Sequence, residues 1–239
     1  MSQAKQRLDQ AVVSRGLALT RSQAENSIRL GYIQVDKKVI QKPGYFVAPS
    51  AVITNIAKEI YVSRAGLKLA SVAQLLKLDF NGKVVLDVGS STGGFTDYAL
   101  QHGAKKVFAV DVGTQQLHPS LRGNTKISLH EQTDIRNFKP TEHIDVVVID
   151  VSFISLRDVL PHIATIISKK TLVVAMCKPQ FEAGAGSKHH GVIKNDAMRR
   201  RILRDFEVWV KQYFIVLHKA DSDIKGAKGN IERFYLLKI

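Results

Sequence analysis

The spacing of apolar residues changes near residue 60. Before that point the apolar runs are short. Leu8, Val12 and Val13 recur at helical spacing and stop at Gly16. A second helix follows, with Thr20 able to cap it, Ala24, Ile28 and Leu30 as its apolar positions, and Gly31 at its end. Tyr32-Ile33-Gln34-Val35-Asp36 alternates as a strand does, Asp36-Lys37-Lys38 turns into Val39-Ile40, and Pro43-Gly44 marks another turn. Residues 1–60 are thus expected to form a small α+β module.

From Ser63 onward the pattern is longer-ranged. Leu67, Leu69, Val72, Leu75 and Leu76 share a helix that also carries Lys68. Apolar runs at 83–87, 106–111, 126–129, 144–150 and 171–177 predict strands, with helices near 96–100, 156–168 and 196–211. Such alternation gives a parallel sheet covered on both faces. Residues 213–218 and 231–237 flank a Gly- and Lys-rich loop and are expected to pair antiparallel. The reading for 61–239 is an α/β, Rossmann-like domain on a mixed seven-stranded sheet.

Residues 84–96, VVLDVGSSTGGFT, run from strand through a glycine turn to a helix start. Glycines let backbone approach a ligand without a Cβ in the way. About 24 residues after Asp87, Asp111 ends the second strand, where a carboxylate accepts from ribose hydroxyls. Asp134, at the end of the third strand, is expected to accept from an adenine amino group. The run Gly89-Ser-Ser-Thr-Gly93-Gly94 lacks the second glycine of a dinucleotide fingerprint. That favours S-adenosylmethionine, which has no phosphates to place on a helix dipole.

Charge narrows the partner. The formal net charge is +14, and nine Lys/Arg against four Asp/Glu already fall within residues 1–60. An excess of this size points to a polyanion. No apolar run is long enough to span a bilayer, the polar start MSQAKQRLDQ is unlike a secretory signal, and a single cysteine fits a reducing cytoplasm. RNA or DNA is therefore expected before lipid.

Four residues far apart in sequence converge on this topology. Asp150 closes the fourth strand, Lys178 follows the fifth, Glu232 begins the last, and Lys68 folds over from the helix before the first strand. A ribose hydroxyl is a poor nucleophile until a base shares its proton. A lysine serves as that base when a second cation favours its neutral form, and two carboxylates would orient the two amines.

These residues carry a family resemblance. The set Lys68, Asp150, Lys178, Glu232 resembles that of FtsJ-type ribose 2′-O-methyltransferases. SRAGLKL (63–69), LDVGSSTGGFTD (86–97), AVDVG (109–113), DVSFISL (150–156), KPQFE (178–182) and KGNIE (228–232) resemble the TlyA family, whose members also carry the name hemolysin A. The first part is similar to the RNA-binding module of ribosomal protein S-four. The resemblance implies methylation of cytidine 2′-hydroxyls in ribosomal RNA, of the large subunit first, with the small subunit as a second candidate. It implies cofactor contacts from Gly89, Ser90, Ser91, Gly93, Gly94, Phe95, Thr96, Asp111, Val112 and Asp134. One departure is Gln132-Thr133-Asp134, where the family carries Arg-Thr-Asn.

RNA contacts are expected from Arg7, Arg15, Arg21, Arg29, Lys37 and Lys38 in the first part, and from Arg64 and Lys228 near the catalytic edge. Met198-Arg199-Arg200-Arg201 reads either as a solvated helix face or as a phosphate contact. Cys177 reads as a core thiol, Trp209 as core, and His189-His190 as a loop, with no metal expected. Two rival functions are a membrane-lytic protein and a non-catalytic ribosome-assembly factor.

Overall fold

The computed structural model describes residues 5–18, 20–29, 31–56, 61–183, 191–193, 195–226 and 229–239. Contacts divide the chain into two units, residues 1–60 and 61–239.

In the first unit β1 (Gln6–Arg7) leads directly into α1 (Leu8–Ser14), and α2 (Arg21–Arg29) follows. Gly16 at φ 72° ends α1, and Leu17 N–H donates back to Val12 O, closing the helix. Thr20 and Gln23 exchange side-chain-to-backbone bonds, Gln23 N–H to Thr20 Oγ1 and Thr20 N–H to Gln23 Oε1, a capping box at the start of α2. β2 (Ile33–Val35) and β3 (Lys38–Val39) form a hairpin whose turn residues Asp36 and Lys37 both have positive φ, as a two-residue hairpin of this twist requires. β4 (Phe46–Val47) pairs with β1, and β5 (Ile53–Asn55) pairs with β2. Leu8, Val12, Ala24, Ile28, Ile33 and Val47 form the core. Leu30 lies outside the described residues.

The second unit opens with α3 (Arg64–Ala73), then β6 (Val84–Val88), α4 (Gly94–Gln101), β7 (Lys106–Val110), β8 (Ile127–His130), β9 (Val146–Ile149), α5 (Leu156–Ile166) and β10 (Leu172–Cys177). A short α6 (Pro179–Glu182), α7 (Asp196–Val210), β11 (Ile215–Asp221) and β12 (Arg233–Lys238) complete it. The sheet order is β11-β12-β10-β9-β6-β7-β8. β12 runs antiparallel to both neighbours, and β6, β7, β8, β9 and β10 are parallel, so the sheet is mixed and seven-stranded. The chain leaves β6 in one direction and returns beside it as β9 in the other. The ends of those two strands are where an open α/β sheet leaves a crevice.

Alternation along each strand separates two cores. Leu86, Val88, Val147, Ile149, Val173, Ala175, Cys177 and Tyr235 face α5 and α7. Val85, Val146, Val148, Val174, Met176, Phe234 and Leu236 face α3 and α4. That parity decides where the polar residues at the strand ends point.

Candidate active site

Asp150 follows Ile149 and so shares the parity of Val148. Lys178 shares that of Met176, and Glu232 that of Phe234. All three belong to the α3/α4 side of the sheet. The antiparallel register pairs Cys177 with Arg233, so Lys178 and Glu232 form the next pair beyond the strand ends. Asp150 N–H donates to Val88 O at 3.0 Å, which puts Asp150 against the glycine turn.

The four side chains form two ion pairs. Lys178 Nζ lies 2.5 Å from Asp150 Oδ1 and donates to Ser152 Oγ at 2.6 Å. Lys68 Nζ lies 2.5 Å from Glu232 Oε2. Lys68, Lys178 and Glu232 are buried, which makes each amine depend on its carboxylate. With Cε, Asp150 and Ser152 around it, Lys178 Nζ keeps one tetrahedral direction for another group.

Local sequence explains how Lys68 gets there. Ser63 caps α3, its Oγ accepting from Ala65 N–H. Asp97 Oδ2 accepts from Val62 N–H at 2.8 Å, tying the start of α3 to α4. A Cβ on Gly66 would lie 2.9 Å from Gly94 O, so the two helices touch glycine to glycine. The backbone of Glu232 is fixed by Ser222 N–H, which donates to Glu232 O at 2.9 Å. Arg64 donates to Lys225 O, bracing the loop before Glu232.

Beside the ion pairs is a cleft of about 480 Å³, lined at one wall by Gly89, Ser91, Asp111, Val112 and Asp134 and at the other by Asp150, Ser152 and Phe153. Gly89 has φ 78°, and a Cβ there would come within 2.9 Å of Asp150 O. Glycine is needed for both conformation and proximity. Asp111 Oδ2 accepts from Ser91 N–H at 2.8 Å and Oδ1 from Gly113 N–H at 2.7 Å, so one carboxylate orders two loops while keeping further lone pairs.

The other cofactor candidates are placed differently. Phe95 is in the core and Gly94 packs on α3. Gly93, at φ 89°, sits under Leu117 and Leu121. Buried Thr96 donates to Asp87 Oδ2 at 2.6 Å. Asp134 is not at the end of β8, which stops at His130. It caps a 3₁₀ turn after Gln132 takes a left-handed conformation, yet Thr133 N–H still donates to Asp111 O and keeps it at the cleft. Arg136 engages Asp134 through Nε and holds its carboxyl down at about 2.

Ser152 and Gln116 carry no sequence signal of their own, and Asp87 is expected at the strand ends with Asp111 and Asp134 but without an assigned contact. Asp87 is 1% exposed, and burial pushes it up to about 7 against the bond from Thr96, with Asp150 adding to the rise. Asp87 Oδ1 and Ser90 Oγ are buried without a hydrogen-bond donor among the described residues. Asp87 and Ser90 themselves do not line the cleft, but their chain neighbours Val88, Gly89 and Ser91 do, and unfilled acceptors next to that segment fit a ligand that carries an amino group. Phe153 is 93% exposed at φ 67°, with its ring centroid 5.5 Å from that of Phe181.

The model of the FtsJ-like methyltransferases matches residues 61–239, and that of the S4 domain matches residues 6–53. The chain belongs to the FtsJ-like methyltransferase family. It is similar to the 23S rRNA (cytidine-2′-O)-methyltransferase TlyA of Campylobacter jejuni, 43% identical over 76% of this chain and 72% of that one. It is also similar to the 16S/23S rRNA (cytidine-2′-O)-methyltransferase TlyA of Mycobacterium tuberculosis, 34% identical over 97% and 89%. A solved Streptococcus thermophilus chain described as a candidate hemolysin is 36% identical, with a TM-score of 0.74 over 98% of this chain and 88% of that one. No helix among the described residues of this FtsJ-like protein is long and apolar enough to cross a membrane.

The RNA candidates of the S4 domain divide by their partners. Arg7 and Arg21 both bond to Asp9, Arg15 donates to Ala51 O and Pro49 O, and Arg29, Lys37 and Lys38 are exposed. Lys228 and His189-His190 lie outside the described residues. Of the arginines in α7, Arg199 is buried, its Nε donating to Ile231 O and its Nη2 2.7 Å from Asp221. Arg200 and Arg201 are exposed. Cys177 is a buried core thiol.

Proposed function

We propose that this FtsJ-like protein is a cytoplasmic, S-adenosylmethionine-dependent methyltransferase of the 2′-hydroxyl of cytidine in ribosomal RNA, acting on the large subunit. The observation that carries the reading is the pair of buried lysine–carboxylate contacts at adjacent strand ends, one of them walling the cleft.

S-adenosylmethionine, when bound, supplies a methyl group on a positively charged sulfur, which an oxygen nucleophile displaces directly. Gly89, Ser91, Asp111 and Val112 would hold its nucleoside, and Asp87 and Ser90 offer acceptors to its amino group. Lys178 does the oxygen chemistry. In its neutral amine form Lys178 turns its lone pair along the open tetrahedral direction, receives the ribose hydroxyl there, and becomes the ammonium as it takes the proton from the attacking oxygen. Asp150 and Ser152 fix the direction of Nζ, so the oxygen meets the cleft at a set angle. Lys68, held by Glu232, keeps a second cation on the same side of the sheet. Phe153 presents an aromatic face beside Ser152, where an unstacked base can lie while its sugar is held. The S4 domain supplies basic side chains for RNA backbone.

The test is methyl transfer from labelled cofactor to separated ribosomal subunits, followed by nucleoside mass spectrometry. The expected product is 2′-O-methylcytidine from the large subunit with the wild-type chain, and none with Lys178→Ala or Asp150→Ala. Label on a base, or full turnover by both variants, contradicts the reading. Label on both subunits extends the substrate and keeps the chemistry.

A further inference from the structure

We propose that Asp9 is a positioning residue for RNA: one buried carboxylate holds Arg7 and Arg21 as a paired guanidinium site for the phosphodiester backbone. The inference rests on the reading above that the S4 domain holds ribosomal RNA.

Asp9 lies in the first turn of α1 and is fully buried. Its Oδ1 accepts from Arg7 Nε at 3.0 Å and from Gln10 N–H at 3.0 Å. Its Oδ2 accepts from Arg7 Nη2 at 2.8 Å and from Arg21 Nε at 2.8 Å. Every lone-pair direction of the acid is thus used, and three of its four donors belong to arginine. The two guanidinium-bearing side chains remain 38% and 54% exposed. Each is gripped along an edge that includes Nε, which leaves Nη1 of Arg7 and both terminal nitrogens of Arg21 for a ligand.

Two cations meet two anions here, because Glu25 Oε1 also lies 3.6 Å from Arg21 Nε, so net charge does not single out the site. Burial of the carboxylate calls for a counter-charge, but the bidentate Arg7 already supplies one, so stability alone does not account for the second arginine. Orientation is the stronger reason. Arginine recognises phosphate through a planar fork, and a fork already fixed has less side-chain freedom to lose on binding. Bonds from Arg7, opposed by burial and joined by those from Arg21, hold the Asp9 carboxyl down at about 2, so the anchor is ionised at neutral pH. Arg15 shows the contrast. Its guanidinium is spent on the carbonyls of Ala51 and Pro49, so it belongs to the fold of the domain.

The experiment uses the full-length protein and a labelled transcript of large-subunit ribosomal RNA, titrated at several salt concentrations. Asp9→Asn makes the protein more positive by one charge, so general electrostatics predicts tighter binding. Pre-organisation predicts the opposite, about tenfold weaker binding. Arg21→Gln in the Asp9→Asn background should then cost less than in the wild type, because the arginine has already lost its support. Equal or tighter binding by Asp9→Asn overturns the proposal, while loss of affinity in Arg7→Gln/Arg21→Gln would leave the wider RNA-binding reading standing. No binding by the wild-type chain overturns both. If Asp9→Asn does not fold, Arg21→Gln is compared with Arg29→Gln, both on the same helix. A larger affinity loss for Arg21→Gln, with a shallower salt dependence, supports the site, and equal losses overturn it.

Discussion

Asp9 in the S4 domain and Asp87 in the methyltransferase domain are both removed from solvent, yet they are shifted in opposite directions. Arginine bonds hold Asp9 down at about 2, whereas burial pushes Asp87 up to about 7. Asp9 has its counter-charges from the protein itself, so its pairing is complete once the chain folds. Asp87 is met by Thr96, through hydroxyl and backbone N–H, with no cation beside it, and its Oδ1 has no hydrogen-bond partner among the described residues. One acid organises two half-exposed cations, and the other keeps an unfilled acceptor behind the glycine turn. On the reading proposed above, the first prepares a surface for a polyanion and the second a pocket for a ligand.

The largest expected effect separates chemistry from RNA binding. Lys178→Ala should lower single-turnover methyl transfer by about 10³-fold or more, the scale of losing a positioned base. Filter binding should find its RNA affinity unchanged. Equal losses in both would remove the division of labour between the domains.

Asp87 gives the next effect, and its sign follows from the direction of the shift. In the unfolded chain an aspartate ionises near pH 4, and in the folded chain Asp87 ionises at about 7. Between those values the unfolded chain has lost the proton and the folded chain keeps it. The contribution of Asp87 to stability is therefore fully present below about pH 4 and is lost as pH rises to about 7, by up to roughly 4 kcal/mol. Asp87→Asn should flatten that decline in urea melts at pH 4.5 and 8, while weakening cofactor binding. Parallel pH profiles for the two proteins would show that Asp87 is not held protonated.

A smaller change is expected at Phe153. Phe153→Ala should lower kcat/KM for ribosomal RNA about tenfold, the scale of one base–aromatic stack, with cofactor affinity retained in calorimetry. An unchanged kcat/KM would leave the exposed ring without a part in substrate binding. The smallest effect belongs to Arg15. Arg15→Gln should cost roughly 1 kcal/mol of stability by freeing two carbonyls, read as a lower melting temperature, with Arg29→Gln near neutral.

Much of this site is legible in the chain before folding. The strand-end positions of Asp150 and Lys178 follow from apolar runs that stop at them, and period-two parity fixes the side of the sheet they serve. Glu232 falls opposite Lys178 once the last strand is read as antiparallel. The glycine turn is less readable, because its pattern marks a close approach without saying to what. Gly89 approaches Asp150, Gly94 approaches α3, and Phe95 and Thr96 turn inward. Arg15 is indistinguishable in sequence from Arg21, since its partner carbonyls lie 34 and 36 residues away. Ser152 sits inside a quoted motif, but its bond to Lys178 depends on the backbone turn after β9.

The central claim is that two ion pairs, from four distant segments, act as one site. Single-turnover methylation of ribosomal RNA by Asp150→Asn, Glu232→Gln and the double variant tests it most directly. If the pairs form one unit, the double variant should be no slower than the slower single variant by more than about threefold. Losses that multiply would contradict the account, because they would mean that the pairs act independently.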